Sequence, residues 1–302
     1  MDVTPFKICM VNRKGGCAKT GSTHQLSGCF AKMGLKVLLV DMDPQASLTQ
    51  GFFGPAATEN LPPQKTILAL FDDSLDPDPE KVLIPTPCEG ITILAGANGL
   101  DDYNRPRPEE EGPLQTALRG FLKEVEGQFD VVLIDCPPNL QLCSWAALLA
   151  SDFVVVPVIP EDFSSQGLIY VQQAIDAAMT NRNPRLRLLG YMLTMYNRQL
   201  GIHKAYEKLL REQYSDLVLE NVFPLATAFK EAVSRRHPIG IDKPKSTASE
   251  AVATIAGELS YRAPIYGSRP AEYYYAGNRY VPGVAEPQEP EVYANSRSEE
   301  AA

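Results

Sequence analysis

Two lysines, Lys14 and Lys19, bracket Gly15, Gly16, Cys17 and Ala18, and Thr20 and Gly21 follow at once. Small residues there let the backbone turn tightly and aim its N–H groups at a single anion. A helix beginning near Lys19 would add the positive end of its dipole. Lys19 has the reach for a terminal phosphate, and the Thr20 hydroxyl suits Mg²⁺. The ordinary phosphate-loop pattern G-x-x-x-x-G-K-[ST] is broken at both outer glycines, where Arg13 and Ala18 stand. Lys14 is an addition to that pattern.

A chance lysine–glycine turn would account for the loop alone, so the weight rests on what accompanies it. Lys36–Val40 (KVLLV) is an apolar run that ends in Asp41-Met42-Asp43-Pro44-Gln45. Phe129–Ile134 (FDVVLI) ends in Asp135-Cys136-Pro137-Pro138. Both runs have the length and β-branched content of buried parallel strands. Both set carboxylates at a strand's C-terminal end, where ligands gather in open α/β sheets.

The elements that must carry these residues alternate along the chain. Strands are predicted at Ile8–Val11, Val37–Val40, Ile91–Leu94, Phe129–Ile134, Phe153–Ile159, Leu188–Leu193 and Leu217–Phe223. Helices are predicted over Thr20–Met33, stopped by Gly34, and over Leu114–Val125, 168–179 and 248–262. Residues 54–66 and 72–90, rich in Pro, Gly and acids, read as loops around Ile67–Phe71. Residues 101–113 read as a solvated connection without chemistry. The alternation predicts an α/β fold with a doubly wound, mostly parallel sheet and helices on both faces. That domain is expected to span 1–263. Residues 264–302 hold five prolines and six tyrosines without apolar periodicity, and they are expected to be a disordered tail. The tail is either inert or a partner-binding segment, since clustered tyrosines suit interfaces.

Composition sets outer bounds. Hydrophobic residues make up 44% and charged residues 22%, which places the chain in the soluble globular class. A net charge of −9 argues against a surface coated in basic charge for nucleic acid, while leaving room for a local basic patch. Six cysteines, none in a Cys-x-x-Cys pair, and three histidines argue against a zinc or iron–sulfur cage and for cytosolic thiols. Lys7 interrupts the first apolar run, so no signal peptide is expected, and no stretch is long enough to span a membrane.

With these motifs in order, residues 5–262 resemble the ParA/MinD group of deviant Walker A ATPases. They look closest to the ParA branch, which segregates plasmids and chromosomes or positions cellular cargo. The resemblance rests on Asn12-Arg13-Lys14-Gly15-Gly16 with Lys19-Thr20, and on the Asp43-Pro44-Gln45 that marks the ParA branch. It continues in Val132–Pro138, in Pro157-Val158-Ile159-Pro160-Glu161 and in Leu193–Arg198. It implies that Lys14 is the signature lysine reaching across a dimer interface to the partner's phosphates, and that Asp43 positions the attacking water. It implies an ATP site built from Lys14, Gly15, Gly16, Cys17, Ala18, Lys19, Thr20 and Gly21, with Asn197 and Pro224 near the adenine. Thr20 would hold Mg²⁺ directly and Asp135 through water. The implied activity is slow hydrolysis of ATP to ADP and phosphate, stimulated by a ParB-like or adaptor protein. Gly21, where a second hydroxyl residue is common, points the same way. The implied partners are a second copy in an ATP-sandwich homodimer and nonspecific DNA, in a cytoplasmic, nucleoid-associated protein that avoids membrane.

Arg198, Lys204, Lys230, Arg235 and Arg236 are the candidate DNA contacts. Leu225 and Ala228 occupy places where relatives carry arginine, and Lys230, Arg235 and Arg236 stand in for them. The charges of 202–213 serve equally well as a solvated face, because Glu207 can pair with Arg211 and Lys208 with Glu212. The tail, with three Arg and six Glu, lacks the basic amphipathic helix of MinD-like membrane anchors. Two other readings stay open. One is a nucleotide-dependent regulatory switch without DNA binding. The other is a metal-delivery ATPase of the same superfamily, in which Cys136 and Cys143 would have to bridge the dimer.

Overall fold

The apolar runs that end in chemistry all become strands of one sheet. The computed structural model describes residues 5–161 and 165–267. Its strands are β1 (Phe6–Met10), β2 (Val37–Asp41), β3 (Leu83–Pro85), β4 (Ile91–Leu94), β5 (Val131–Asp135), β6 (Phe153–Val158) and β7 (Arg187–Leu193). Their spatial order is β3-β4-β2-β5-β1-β6-β7. Every pairing is parallel except β3 with β4. In β2 and β5 every residue is buried, as strands covered on both faces require.

The helices are α1 (Lys19–Lys32), α2 (Ser47–Phe53), α3 (Pro55–Glu59), α4 (Pro79–Val82), α5 (Ala117–Glu124) and α6 (Leu142–Ala150). They continue with α7 (Ser165–Asn181), α8 (Gly201–Tyr214), α9 (Thr227–Ser234), α10 (Ile239–Asp242) and α11 (Thr247–Gly267). α1, α10 and α11 pack together, and α5, α6 and α7 form a second layer. The chain leaves β1 toward β2 and leaves β5 toward β6, in opposite directions across the sheet. Right-handed crossovers therefore put α1 and α6 on opposite faces. The doubly wound α/β sheet is as expected, and the predicted strands agree to within a residue or two, with one exception.

That exception is Leu217–Phe223. It forms no continuous ladder with β7: its backbone meets β7 at the isolated bridge Tyr191↔Val218, where the Leu219 N–H donates to Tyr191 O at 2.9 Å, and again where the Phe223 N–H donates to Leu193 O at 2.8 Å. Between them the backbone N–H groups of Glu220 and Asn221 donate to the Glu258 carboxylate of α11, at 2.8 and 2.9 Å. A side chain thus takes donors that a ladder would have used. Gly190 permits the approach, since a Cβ there would lie 2.7 Å from the Leu217 carbonyl oxygen.

Other segments are more structured than their composition implied. The loop 54–66 contains α3, and 72–90 contains α4 and the edge strand β3. Leu114–Val125 opens as a 3₁₀ turn over Gly112–Thr116 before α5 begins. The connection 101–113 supports the start of α6. Its Asn104 is buried, and the Asn104 Oδ1 accepts the Cys143 N–H at 3.1 Å, satisfying a donor in the first turn of that helix. The last helix runs through Pro264 to Gly267, past its expected end. The rest of the Pro/Tyr-rich tail lies outside the described residues.

Candidate functional site

The loop after β1 is shaped by its own side chains. The Asn12 amide donates to the Pro157 carbonyl at 2.7 Å, while its Oδ1 accepts the Lys14 N–H at 3.0 Å. This pins the loop's start to the end of β6. Gly16 and Ala18 both take left-handed backbone angles, with φ of 72° and 63°. Glycine does so freely; alanine at Ala18 does so at a cost of roughly 1 kcal/mol. Ala18 also supplies no side-chain cap to α1, and no acidic residue occupies the first turn. The free N–H groups at that helix start are the donors an anion would meet.

The two lysines behave oppositely. Lys19 is buried, and its ammonium donates to the carbonyl oxygens of Asn12 (3.0 Å) and Lys14 (3.2 Å). Lys14 is exposed and makes no ion pair among the described residues. Arg13, beside it, lies over the Tyr170 ring of α7 at 4.7 Å from the centroid. The Thr194 hydroxyl donates to the Cys17 carbonyl at 3.0 Å, tying the loop to the end of β7.

Three carboxylates converge on this loop. Asp41 and Asp135 are register partners on β2 and β5, and Asp135 also sits opposite Met10 of β1. Asp135 is fully buried, and neither of its oxygens has a hydrogen-bond partner. Burial first, and the Asp41 charge second, push its pKa well above the usual carboxylate range. The Thr20 hydroxyl and the Lys19 ammonium pull the other way. Asp41 is pushed up to about 6, mainly by burial, against the pull of two hydrogen bonds from Thr49. Those bonds come from the Thr49 N–H (2.8 Å) and hydroxyl (2.7 Å), and the Gly96 N–H donates back to the hydroxyl at 2.9 Å. A Cβ on Gly96 would fall 2.8 Å from Asp41 Cγ. Asp41 is therefore already satisfied by its own shell, whereas Asp135 is not. Asp43 is nearly buried, and one of its oxygens accepts the Gln45 N–H at 2.9 Å. The other oxygen makes no hydrogen bond among the described residues.

Mg²⁺ fits this arrangement. Asp135 is an uncompensated buried carboxylate beside the hydroxyl of Thr20, and both are hard oxygen donors. Among the described residues no group of three or more His, Cys, Asp or Glu forms a metal cage. A cation here would have to complete its shell with phosphate oxygens and water.

Asn197 and Pro224 are brought together by the Tyr196↔Pro224 bridge, with the Tyr196 N–H donating to Phe223 O at 3.0 Å. The Asn197 N–H donates to His203 Nδ1 at 3.0 Å, and its Oδ1 accepts the Gln199 N–H at 2.9 Å. The five candidate DNA residues divide. Arg198, Lys204 and Lys230 are exposed and form no ion pair among the described residues. Arg235 pairs with Asp242 through two short contacts, and Arg236 donates to Gln50 O at 2.9 Å. Neither that Asp242 partner nor the part played by Thr49 is foreshadowed by any motif, because both contacts join residues brought together only by the fold.

All six cysteines are buried. Burial holds the Cys136 thiol well above its ordinary pKa and pushes Cys9 up to about 12. Cys136 and Cys143, the pair a metal-delivery reading would need at a dimer interface, are both fully buried within the single chain.

A family model described as an AAA domain matches residues 6–188. The chromosome-partitioning ATPase Soj of Thermus thermophilus is 31% identical over 256 residues, covering 85% of this chain and 96% of its own. The sporulation initiation inhibitor protein Soj of Bacillus subtilis is 29% identical over 256 residues, covering 84% and 97%. Cobyrinic acid a,c-diamide synthase from Mycobacterium smegmatis, solved with a bound ATP analogue and magnesium, superposes with a TM-score of 0.70 at 26% identity. That match covers 84% of this chain and 93% of that one.

Proposed function

This chain belongs to the ParA-type partition ATPases of the AAA-domain family, and from that premise we propose that it is a nucleotide-gated dimer that binds nonspecific DNA and moves a DNA or other cargo. Mg²⁺–ATP binds at the loop of residues 14–21, with Thr20 and Asp135 holding the cation. The bound cation would offset charge on the phosphate oxygens. The N–H groups at the start of α1 cradle the phosphates, and Lys19 exchanges its loop carbonyls for them. Asp43 orients the attacking water with its free oxygen. Phosphoryl transfer of this kind depends on positioning and charge stabilisation rather than covalent chemistry.

The contrast between the two lysines carries the dimer reading. Lys19 is folded inward onto the loop, whereas Lys14 faces solvent and makes no ion pair among the described residues. A cation placed there is available to phosphates bound by a second copy. A cation supplied in trans is worth ~10³–10⁵ in rate in related chemistry. Gly21 and the strained Ala18 support slow basal turnover, raised by a ParB-like or adaptor protein. Nonspecific DNA meets Arg198, Lys204 and Lys230, mainly through its phosphates, in a cytoplasmic, nucleoid-associated protein.

Light scattering after gel filtration with Mg²⁺–ATP tests this. Asp43→Ala is expected to run as a stable dimer, and Lys14→Ala as a monomer that still binds ATP. Retention of the Asp43→Ala dimer on random-sequence DNA is expected to fall steeply as salt rises. Single chains for both variants would overturn the dimer. A dimer without DNA retention at low salt would favour a regulatory switch.

A further inference from the structure

Asp43, the carboxylate assigned to the attacking water, is anchored through its backbone as well as its side chain. The Asp43 N–H donates to Asp41 Oδ1 at 3.3 Å, and the Asp43 carbonyl accepts the Ala46 N–H at 2.8 Å. Ala46 has φ of 50°, a left-handed turn that brings α2 back over the end of β2. Thr49, in the first turn of α2, thereby meets the other oxygen of Asp41 with both its N–H and its hydroxyl. Asp41 is fully buried, so bulk water competes for neither oxygen. The hold of Thr49 on Oδ2 therefore fixes where Oδ1 meets the backbone of Asp43.

The Thr49 hydroxyl is itself aimed. Its oxygen accepts the Gly96 N–H at 2.9 Å, which leaves its single hydrogen for Asp41 Oδ2 at 2.7 Å. Gly96 is a fixed donor. The neighbouring Ala95 carbonyl accepts the Ile67 N–H at 2.7 Å, and Gly96 lies so close to the turn that a Cβ there would fall 3.1 Å from Ala46 Cα. A relay thus runs from the Gly96 N–H through the Thr49 hydroxyl and the Asp41 carboxylate to the Asp43 N–H. All four residues are buried, and the relay joins the loop after β4 to the phosphate site.

We propose that Thr49 is a positioning residue for hydrolysis, whose hydroxyl, acting through Asp41, sets the place of the Asp43 carboxylate. This rests on the water-orienting role proposed for Asp43. Valine keeps the shape of threonine but cannot accept from Gly96 and donate to Asp41, whereas serine can do both. A shift of about 1 Å at a positioned group costs up to about a hundredfold in rate. The N–H groups of the loop 14–21 that face the phosphates are not part of the relay. Removing the hydroxyl therefore lowers turnover and leaves ATP affinity in place.

The test compares the full chain with its Thr49→Val and Thr49→Ser variants. In nucleotide-free protein, amide exchange is followed residue by residue by NMR. Exchange at Asp43 and Gly96 is expected to quicken at least about tenfold in Thr49→Val and to return to within about twofold of wild type in Thr49→Ser. With Mg²⁺–ATP, turnover per bound nucleotide is expected to fall about tenfold or more in Thr49→Val, with KM within about twofold and serine restoring the rate. Adding Thr49→Val to Asp43→Ala is expected to lower the residual turnover no further, because the two residues act in series. Unchanged exchange at Asp43 would overturn the proposal, as would exchange quickened throughout β2 and α2, which is general loosening. So would a turnover that falls by the same factor with and without Asp43. An inactive Asp43→Ala beside a fully active Thr49→Val would sink the positioning role alone. An Asp43→Ala variant as active as the wild type would remove the water-orienting role, and this inference with it.

Discussion

Asp135 is costly to keep charged in this fold, and that cost is part of its use. Its folded pKa lies well above the ordinary 3.8, because of burial and then the charge of Asp41. For a raised carboxylate, stability is fully present below the unfolded pKa and is lost as pH rises through the folded one. Asp135→Asn removes the charge at nearly constant size. Without magnesium, its melting temperature is expected to rise by about 2–4 °C by calorimetry at neutral pH, while magnesium-dependent ATP binding drops at least about tenfold. A lower melting temperature would mean that the carboxylate is satisfied within the protein. At this scale the sequence foretold that Lys14, Lys19, Thr20, Asp43 and Asp135 gather around one loop, because a motif fixes both residue type and spacing there. It was blind to Thr49, whose value arises only because β2 carries Asp41 to a place without water.

Helix α1 carries most of what the loop needs, and it is under two opposing local pressures. Gly21 weakens its first turn, and a Cβ there would meet only Ala18 Cβ at 3.9 Å, an ordinary contact. Gly21→Ala is therefore expected to stabilise the protein by about 0.5–1 kcal/mol in urea unfolding. Destabilisation would show that the position needs glycine's freedom. One turn on, His24 is buried against Phe52, with ring centroids 4.5 Å apart and Nε2 unpartnered. Burial, with a smaller push from His237, lowers its pKa from 6.5 to about 4. The unfolded chain thus binds the proton more tightly. The neutral ring's contribution is complete above pH 6.5 and is lost as pH falls toward 4, up to about 3 kcal/mol. Urea unfolding of the wild type and His24→Gln should show their difference in stability shrinking across that window. A constant difference would remove His24 as the titrating group. Elements of this kind are legible when hydrophobic period and stop signals agree, as in α1 with Gly34. Leu217–Phe223 defeated the same logic because its apolar run reads as a strand, while the Glu258 carboxylate that takes its N–H groups comes from a distant helix.

Across the whole molecule, the order β3-β4-β2-β5-β1-β6-β7 puts the loop after β1 where the winding reverses, with Asp135 on one flank and Pro157 on the other. Alternation of strand and helix made the doubly wound sheet readable from the chain. The antiparallel edge strand β3 was not, because its three residues are too few to carry a period. The burial of all six thiols has a practical corollary. A water-soluble disulfide reagent can reach sulfur only while the molecule breathes, so the uptake of colour in such an assay is a clock for opening. Occupancy of the loop at 100 times its Kd should slow that clock about a hundredfold wherever opening empties the loop, Cys17 first among them. Unaltered kinetics at saturating Mg²⁺–ATP would mean that the phosphate cradle and the thiols come apart separately. The protein thus carries six internal timers, set in β1, the loop after it, α1, the turn before β4, the end of β5 and α6.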